Sequence, residues 1–193
     1  MMPRMIILLG LAFCLAAGVV RADEQATEAL IERLAGIEQL AGNFNQVQFS
    51  TDGDETVGET SGRFRLLRPG YFSWEIDSPD SQLIIADPRY VWHHDRDLET
   101  VTRRPVAGNE ALSPLQVLGG NSEVLRRRFD ISQPGTGDFL LRPLDDGAGF
   151  RSLLLHLDDR GLIGMEIRDN LDQRLVITFA DVRSDAGLTA SDF

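Results

Sequence analysis

The chain is almost devoid of cysteine. The single one among 193 residues, Cys14, lies in an N-terminal apolar run, so the disulfide framework on which small secreted folds rely is excluded and the fold must be held by its core. Histidine is nearly as scarce. His93 and His94 are neighbours; on a strand they point to opposite faces and cannot chelate one metal together. His156 alternates with Leu155 and Leu157, as a surface strand residue does. No G-x-S-x-G elbow, P-loop, dinucleotide fingerprint or calcium loop occurs. The acid pairs Asp145-Asp146 and Asp158-Asp159 sit in turns, where solvated carboxylates are expected. No catalytic residue, metal site or cofactor emerges, and the sequence reads as that of a non-enzyme.

Long hydrophobic runs are also missing, with one exception at the start. Met1 to Arg4 is a short basic segment, Met5 to Val20 is an apolar stretch of 16 residues, and Val20-Arg21-Ala22 ends in the small residue a signal peptidase needs. Sixteen residues fall short of the roughly 20 that span a bilayer, so residues 1–22 read as a secretory signal peptide cleaved after Ala22. Cys14 follows bulky Phe13 and precedes more apolar signal sequence, a poor lipobox. The expected product is an exported chain that begins at Asp23. Its 171 residues, 193 less 22, suffice for one domain with a sizeable core over residues 23–193. No linker, composition break or strong repeat divides it.

Positive charge is in deficit. The formal net charge is −11, and losing Arg4 and Arg21 with no acid takes it to −13. Such a surface is repelled by nucleic acid and by anionic headgroups. The runs Arg103-Arg104 and Arg126-Arg127-Arg128 are short and read as solvated faces.

What is present is periodicity. From Ala26 to Gly42 the apolar positions Leu30, Leu34, Ile37, Ala41 and Phe44 recur at steps of three and four between charged residues, which predicts an amphipathic helix ending near Gly42. Beyond it the period falls to 2. Val47 and Phe49 alternate with Gln46 and Gln48; Gly58, Thr60, Gly62, Phe64 and Leu66 share one strand face; Phe72, Trp74 and Ile76 share the next. Strands follow at Gln82 to Ala86, Tyr90 to His94 and Leu98 to Arg104. A second series covers Phe129 to Leu144, Phe150 to Leu157, Leu162 to Arg168 and Leu175 to Arg183. Tight turns between them imply antiparallel meanders. Between the series, Ser113 can cap and Pro114 can begin a short helix. The expected architecture is mainly β with α: an open, incomplete antiparallel barrel of about ten strands around the first helix, with short helices across the opening. A β-sandwich with the helix packed outside fits the same periodicity.

One residue breaks its local rule. Phe64, Leu66 and Arg68 have the same parity, so an apolar face ends in a guanidinium just before Pro69-Gly70. Either Arg68 snorkels to water from the strand's end, or it is held inside an apolar concavity by hydrogen bonds.

The run Arg65-Leu66-Leu67-Arg68-Pro69-Gly70-Tyr71-Phe72-Ser73-Trp74 is preceded by Phe44-Asn45-Gln46 and Ser61-Gly62-Arg63-Phe64. It is followed by Leu83-Ile84-Ile85-Ala86-Asp87 and Tyr90-Val91-Trp92. Its patterns G-x-F-x-x-x-R-P-x-x-F-x-W and D-P-x-Y-V-W closely resemble those of the periplasmic outer-membrane lipoprotein carrier family, LolA, over nearly the whole mature chain. The resemblance implies an open barrel with a helical lid over a hydrophobic cavity. It implies a soluble, monomeric periplasmic shuttle that takes acylated lipoproteins from an inner-membrane ABC transporter to an outer-membrane acceptor. On this likeness, Phe64, Leu66, Phe72 and Trp74, with Leu30, Leu34 and Ile37 of the first helix, line the acyl-chain cavity. Arg68 latches the lid, Ser113 to Gly119, through carbonyls near Leu118 and Gly119, and Phe72 contacts the transporter or acceptor. Related chains continue past a Thr189 to Phe193 strand, where this sequence stops.

The task fits the composition. Three acyl chains carry on the order of 40 methylenes, whose exposure to water costs roughly 30 kcal/mol at about 0.8 kcal/mol each, so a carrier needs a covered apolar pocket and an acidic exterior. An anchored acceptor of the same fold would need an N-terminal cysteine where this chain has Asp23. A lipid-sensing regulatory module of the same fold and, more remotely, a periplasmic hydrolase are the other readings.

Overall fold

A computed structural model describes residues 19–51, 53, 55–106, 114–119, 122–145 and 147–193. Most of the signal segment and Ser113 lie outside them. Eleven strands form one sheet: β1 (Gln39–Phe49), β2 (Thr56–Leu67), β3 (Tyr71–Ser78), β4 (Gln82–Ala86), β5 (Tyr90–Asp95), β6 (Thr100–Pro105), β7 (Phe129–Gly135), β8 (Asp138–Pro143), β9 (Ser152–Asp158), β10 (Gly161–Arg168) and β11 (Arg174–Arg183). Among the described residues three α-helices accompany them: α1 (Val19–Ala35), α2 (Pro114–Gly119) and α3 (Ser122–Arg128).

The strand order is β6-β5-β4-β3-β2-β1-β11-β10-β9-β8-β7, two meanders joined where β1 pairs antiparallel with β11. The terminal strands β6 and β7 do not pair, so the barrel is open. One continuous sheet replaces the two packed sheets that a sandwich would need. Strand alternation sets the inside. Leu40, Leu66, Phe72, Ala86 and Val91 stand opposite one another across β1 to β5, and the first four are buried. The β2–β3 reversal at Pro69-Gly70 depends on Gly70, whose φ of 82° suits a residue without a Cβ.

Two expectations are corrected and one element is added. The first helix ends at Ala35, not near Gly42. The Ile37 N–H closes a turn onto the Leu34 carbonyl at 3.0 Å, and β1 begins at Gln39, so Ile37 follows the helix while Ala41 and Phe44 are strand residues. Their spacing from Leu34 imitates a helical stripe. Both neighbours of β1 offer backbone ladders, which an extended segment satisfies and a further helical turn would leave unpaired. The segment Thr189 to Phe193 is not a strand either. It contains a 3-10 turn, Ala190–Asp192, in which the Thr189 N–H donates to the Asp192 carboxylate at 2.7 Å. Lastly, Arg126-Arg127-Arg128 ends a helix, α3, that periodicity did not indicate. Each of its arginines has a carboxylate partner, Glu28, Glu123 and Asp145 respectively.

The helices cover the concave face. α1 packs against β7 and α3, and α2 against β2 and β3. Ala26, Leu30 and Leu34 of α1, Val117 and Leu118 of α2 and Leu125 of α3 join the strand side chains in one apolar core. Among the described residues no helix is long and apolar enough to cross a membrane.

Candidate functional site

The concave face of β1, β2, β3 and β11 is built from aromatic rings. Phe44 stacks on Trp74 with centroids 3.6 Å apart, Phe72 stacks on the same indole at 5.9 Å, and Phe179 meets Trp74 edge-on at 6.3 Å. Phe64 completes the set, 4.8 Å from Phe179 and 6.3 Å from Trp74. Gly62 makes this arrangement possible. It lies directly opposite Phe44, so no side chain comes between that ring and the indole, and a Cβ there would fall 1.9 Å from the Glu75 carbonyl oxygen.

Of the residues expected around an acyl cavity, Phe64, Leu66, Phe72, Trp74, Leu30 and Leu34 are brought together in this core, each at most 7% exposed. Ile37 packs against it half-buried, from the turn after α1. The rings and leucines fill the concavity themselves. Phe72, expected also to contact the transporter or acceptor, is buried against Trp74. Pattern reading missed Phe44, Phe179 and Leu40. Phe44 was masked by the helical spacing, while Phe179 was findable from its alternation with Ile177 in β11.

The cover is α2 with α3 beside it. Val117 and Leu118 are buried, and a Cβ on Gly119 would touch the Leu66 side chain at 3.5 Å, so this six-residue helix rests directly on β2. A short helix has little stability of its own. Its position therefore depends on the apolar contacts beneath it.

Arg68 stands at the end of β2. Its backbone N–H donates to the Glu38 carbonyl at 2.8 Å, and its Nη1 donates to the Leu34 carbonyl in the last turn of α1. That carbonyl is one of those a helix leaves without an intrahelical partner at its C-terminus; it already accepts the Ile37 N–H, and Arg68 makes use of its second lone pair. Partial burial lowers the guanidinium's pKa, because an apolar setting penalises the charged form. The charge is thus held in the wall of the concavity by hydrogen bonding, tied to α1, a partner that strand parity could not reveal. Beside it opens a cleft of about 490 Å³ between α1 and α3, lined by Ile31, Leu34, Ile37, Leu67 and Leu125 with Glu38 and Ser122.

On the outside the same helices are stapled. Arg126 donates from Nε and Nη2 to both carboxylate oxygens of Glu28 at 2.8 and 2.7 Å, linking α3 to α1, and these bonds hold the Glu28 carboxyl below its usual range. Arg33 donates to the Asp158 carbonyl at 3.2 Å, anchoring α1 to the β9–β10 hairpin. The site is an apolar compartment, closed by helices whose outer attachments are few and polar.

A family model described as "Outer membrane lipoprotein carrier protein LolA" matches residues 35–193. The outer-membrane lipoprotein carrier protein of Coxiella burnetii (strain CbuK_Q154) is 32% identical over 190 residues, covering 96% of this chain and 90% of its own. That of Azotobacter vinelandii is 32% identical over 193 residues, covering 98% and 92%. Among solved structures, a DUF1329 family protein from Desulfovibrio piger superposes with a TM-score of 0.55 at 10% identity, covering 89% of this chain and 97% of that one, a likeness of fold.

Proposed function

Because the chain belongs to the outer membrane lipoprotein carrier protein LolA family, we propose that it sequesters the acyl chains of lipoproteins released from the inner membrane by an ABC transporter. It then carries them through the periplasm to an outer-membrane acceptor. Residues 1–22 direct export and are removed after Ala22, and residues 23–193 form the single carrier domain. The observation that carries this reading is the aromatic concave face under a lid of short helices: an apolar compartment with no chemistry to perform, closed by contacts weak enough to exchange.

In the empty carrier the apolar lid and floor bury one another. Acyl chains entering through the cleft beside Arg68 displace α2 from Leu66, Phe72 and Trp74 and take over its apolar contacts, so water gains little hydrophobic surface. Arg68 opposes this exchange. Its bond to the Leu34 carbonyl of α1, together with the bonds proposed here to carbonyls at Leu118 and Gly119 at the end of α2, is broken on loading, which weakens the hold on cargo and lets it pass downhill to the acceptor. Phe72, uncovered when α2 lifts, then offers its ring to the transporter or acceptor. The acidic exterior keeps the loaded carrier from adsorbing to membranes.

The test is purification from a periplasmic extract followed by mass spectrometry. Acylated proteins should co-elute at about one per carrier, and the carrier's own mass should correspond to a chain beginning at Asp23. Turnover of ester or glycoside substrates by an eluate free of acylated protein would overturn the proposal.

A further inference from the structure

The convex face of the sheet carries a row of side chains that has no part in covering the acyl compartment. Cross-strand register aligns Arg183, Ala41, Arg65, Ser73, Ile85, Trp92 and Arg103, one from each of β11, β1, β2, β3, β4, β5 and β6. At roughly 4.8 Å per strand, Arg183 and Arg65 stand about 10 Å apart and Arg103 some 19 Å beyond. The row contains no acid, in a chain with 30 acidic and 19 basic residues.

The face is recessed at one end of this row. β11 carries one extra residue between Ala180 and Arg183, against Ala41 to Asn43 of β1, and β3 carries one, Asp77, against Ser61 and Gly62 of β2, and irregularities of this kind re-aim neighbouring side chains. The recess measures about 380 Å³ and includes Arg65 and Arg183 in its lining. Ala41 and Ser73, 6% and 1% exposed, give it a floor of small residues. Two acids also border it, and both are already engaged. Glu75 binds Arg63 at 3.2 Å and Arg96 at 2.8 Å, and Asp181 accepts a hydrogen bond from Asn43 at 2.9 Å. Among the described residues Arg183 forms no ion pair. Arg65 lies 5.8 Å from the Phe193 ring, and the Asp192 carboxyl, held below its usual range chiefly by hydrogen bonds from Thr189, is lowered a little further by Arg65.

The other end of the row is amphipathic. The Arg103 guanidinium covers Tyr90 at 4.6 Å and Trp92 at 5.2 Å, with Trp92 36% and Val101 59% exposed. Every one of the 19 basic residues in the chain is arginine, the side chain whose planar fork matches a carboxylate in two hydrogen bonds.

We propose that this row is a docking surface for an acidic segment of a protein partner. Its carboxylates enter the Arg65–Arg183 recess, and its apolar side chains rest on Ile85 and Trp92. Charge complementarity selects the occupant. A net charge of −11 repels an anionic bilayer or a second copy of the chain as a whole, while a local acid at the recess faces Arg65 and Arg183 beside carboxylates that are already engaged. A recess about two strands wide fits a side chain and cannot be filled by a flat membrane. The surface lies on the face opposite the aromatic core, so a partner held here leaves the lid free to open.

The experiment titrates the isotope-labelled chain with a synthetic decapeptide of alternating Glu and Leu, with its Gln-Leu counterpart, and with vesicles containing phosphatidylglycerol. Amide shifts around Arg65 and Arg183 and at the Trp92 indole are expected with the Glu peptide. Binding should weaken at least tenfold for the Gln peptide and for the double variant Arg65→Gln/Arg183→Gln. That variant should retain wild-type uptake of an apolar dye, which certifies its fold and separates this surface from cargo binding. Equal binding of the two peptides, equal binding by the double variant, or shifts confined to other faces would overturn the proposal. So would arginine-dependent binding to the vesicles alone, or sedimentation showing that the row buries itself in a dimer.

Discussion

Arg68 and Phe72 carry most of the argument at the residue scale. Arg68 sits on the parity of Phe64 and Leu66, yet it is kept in the wall of the concavity because the Leu34 carbonyl receives its guanidinium. A charge-assisted bond from a half-exposed head contributes about 1.5 kcal/mol after solvent screening, or about a factor of ten in affinity. Arg68→Leu removes this bias toward the closed state and adds apolar wall. The variant is expected to load normally and to hand cargo to purified acceptor about tenfold more slowly; transfer at the wild-type rate would eliminate the latch. For Phe72 the structure changes the expectation. A rim residue would accept a charge at modest cost, but this ring is buried against Trp74. Phe72→Glu should therefore cost about 3 to 5 kcal/mol and lower the Tm by roughly 6 °C or more, read by calorimetry. Phe72→Leu should fold and lose capture by the transporter's periplasmic domain. Wild-type melting of the glutamate variant, or full capture of the leucine variant, would contradict these assignments.

At the scale of elements, the closed state depends on how α1, α2 and α3 are attached. Beneath them the contacts are apolar and interchangeable with acyl chains; outside, the Glu28–Arg126 pair fixes α3 to α1. The folded-state pKa of Glu28 is depressed by that pair. Its contribution is therefore complete above the ordinary glutamate value, about 4.3, and is lost as the pH falls through the lower folded-state value. Wild type should melt above Glu28→Gln at pH 7, and the two curves should converge toward pH 2. A gap of constant size across that range would mean that the carboxylate's charge has no part in holding the helices. The same scale explains the misplaced end of the first helix. Leu34, Ile37, Ala41 and Phe44 satisfy a helical period, and only the ladders offered by β2 and β11 turn the residues after Gln39 into a strand.

For the whole molecule, eleven strands leave one concave face and one convex face, and the open edges at β6 and β7 let helices rather than a closing strand complete the wall. Lid and floor bury each other, so under the proposed function loading is an exchange of apolar contacts. An environment-sensitive apolar dye should accordingly bind at about one site per molecule and be displaced by an acylated peptide. Equal displacement by the unacylated peptide would show that the dye occupies some other surface.

Alternation by itself determined most of the strands and the burial of Phe64, Leu66, Phe72 and Trp74 on one face, because side-chain period is a local property of the chain; the single open sheet, which a sandwich would have matched in period, was decided by strand pairing. The motif built from Gly62, Phe64, Arg68, Phe72 and Trp74 resembles that of the carrier family, to which the family model and the relatives assign the chain. Tertiary structure alone decided the rest, since each remaining feature joins residues distant in sequence. The stack of Phe44 on Trp74 across Gly62, the bond from Arg68 to Leu34, the pairing of Arg126 with Glu28, and the arginine row from Arg183 to Arg103 all require strand register or helix docking. No local pattern specifies which distant backbone or side chain will stand opposite.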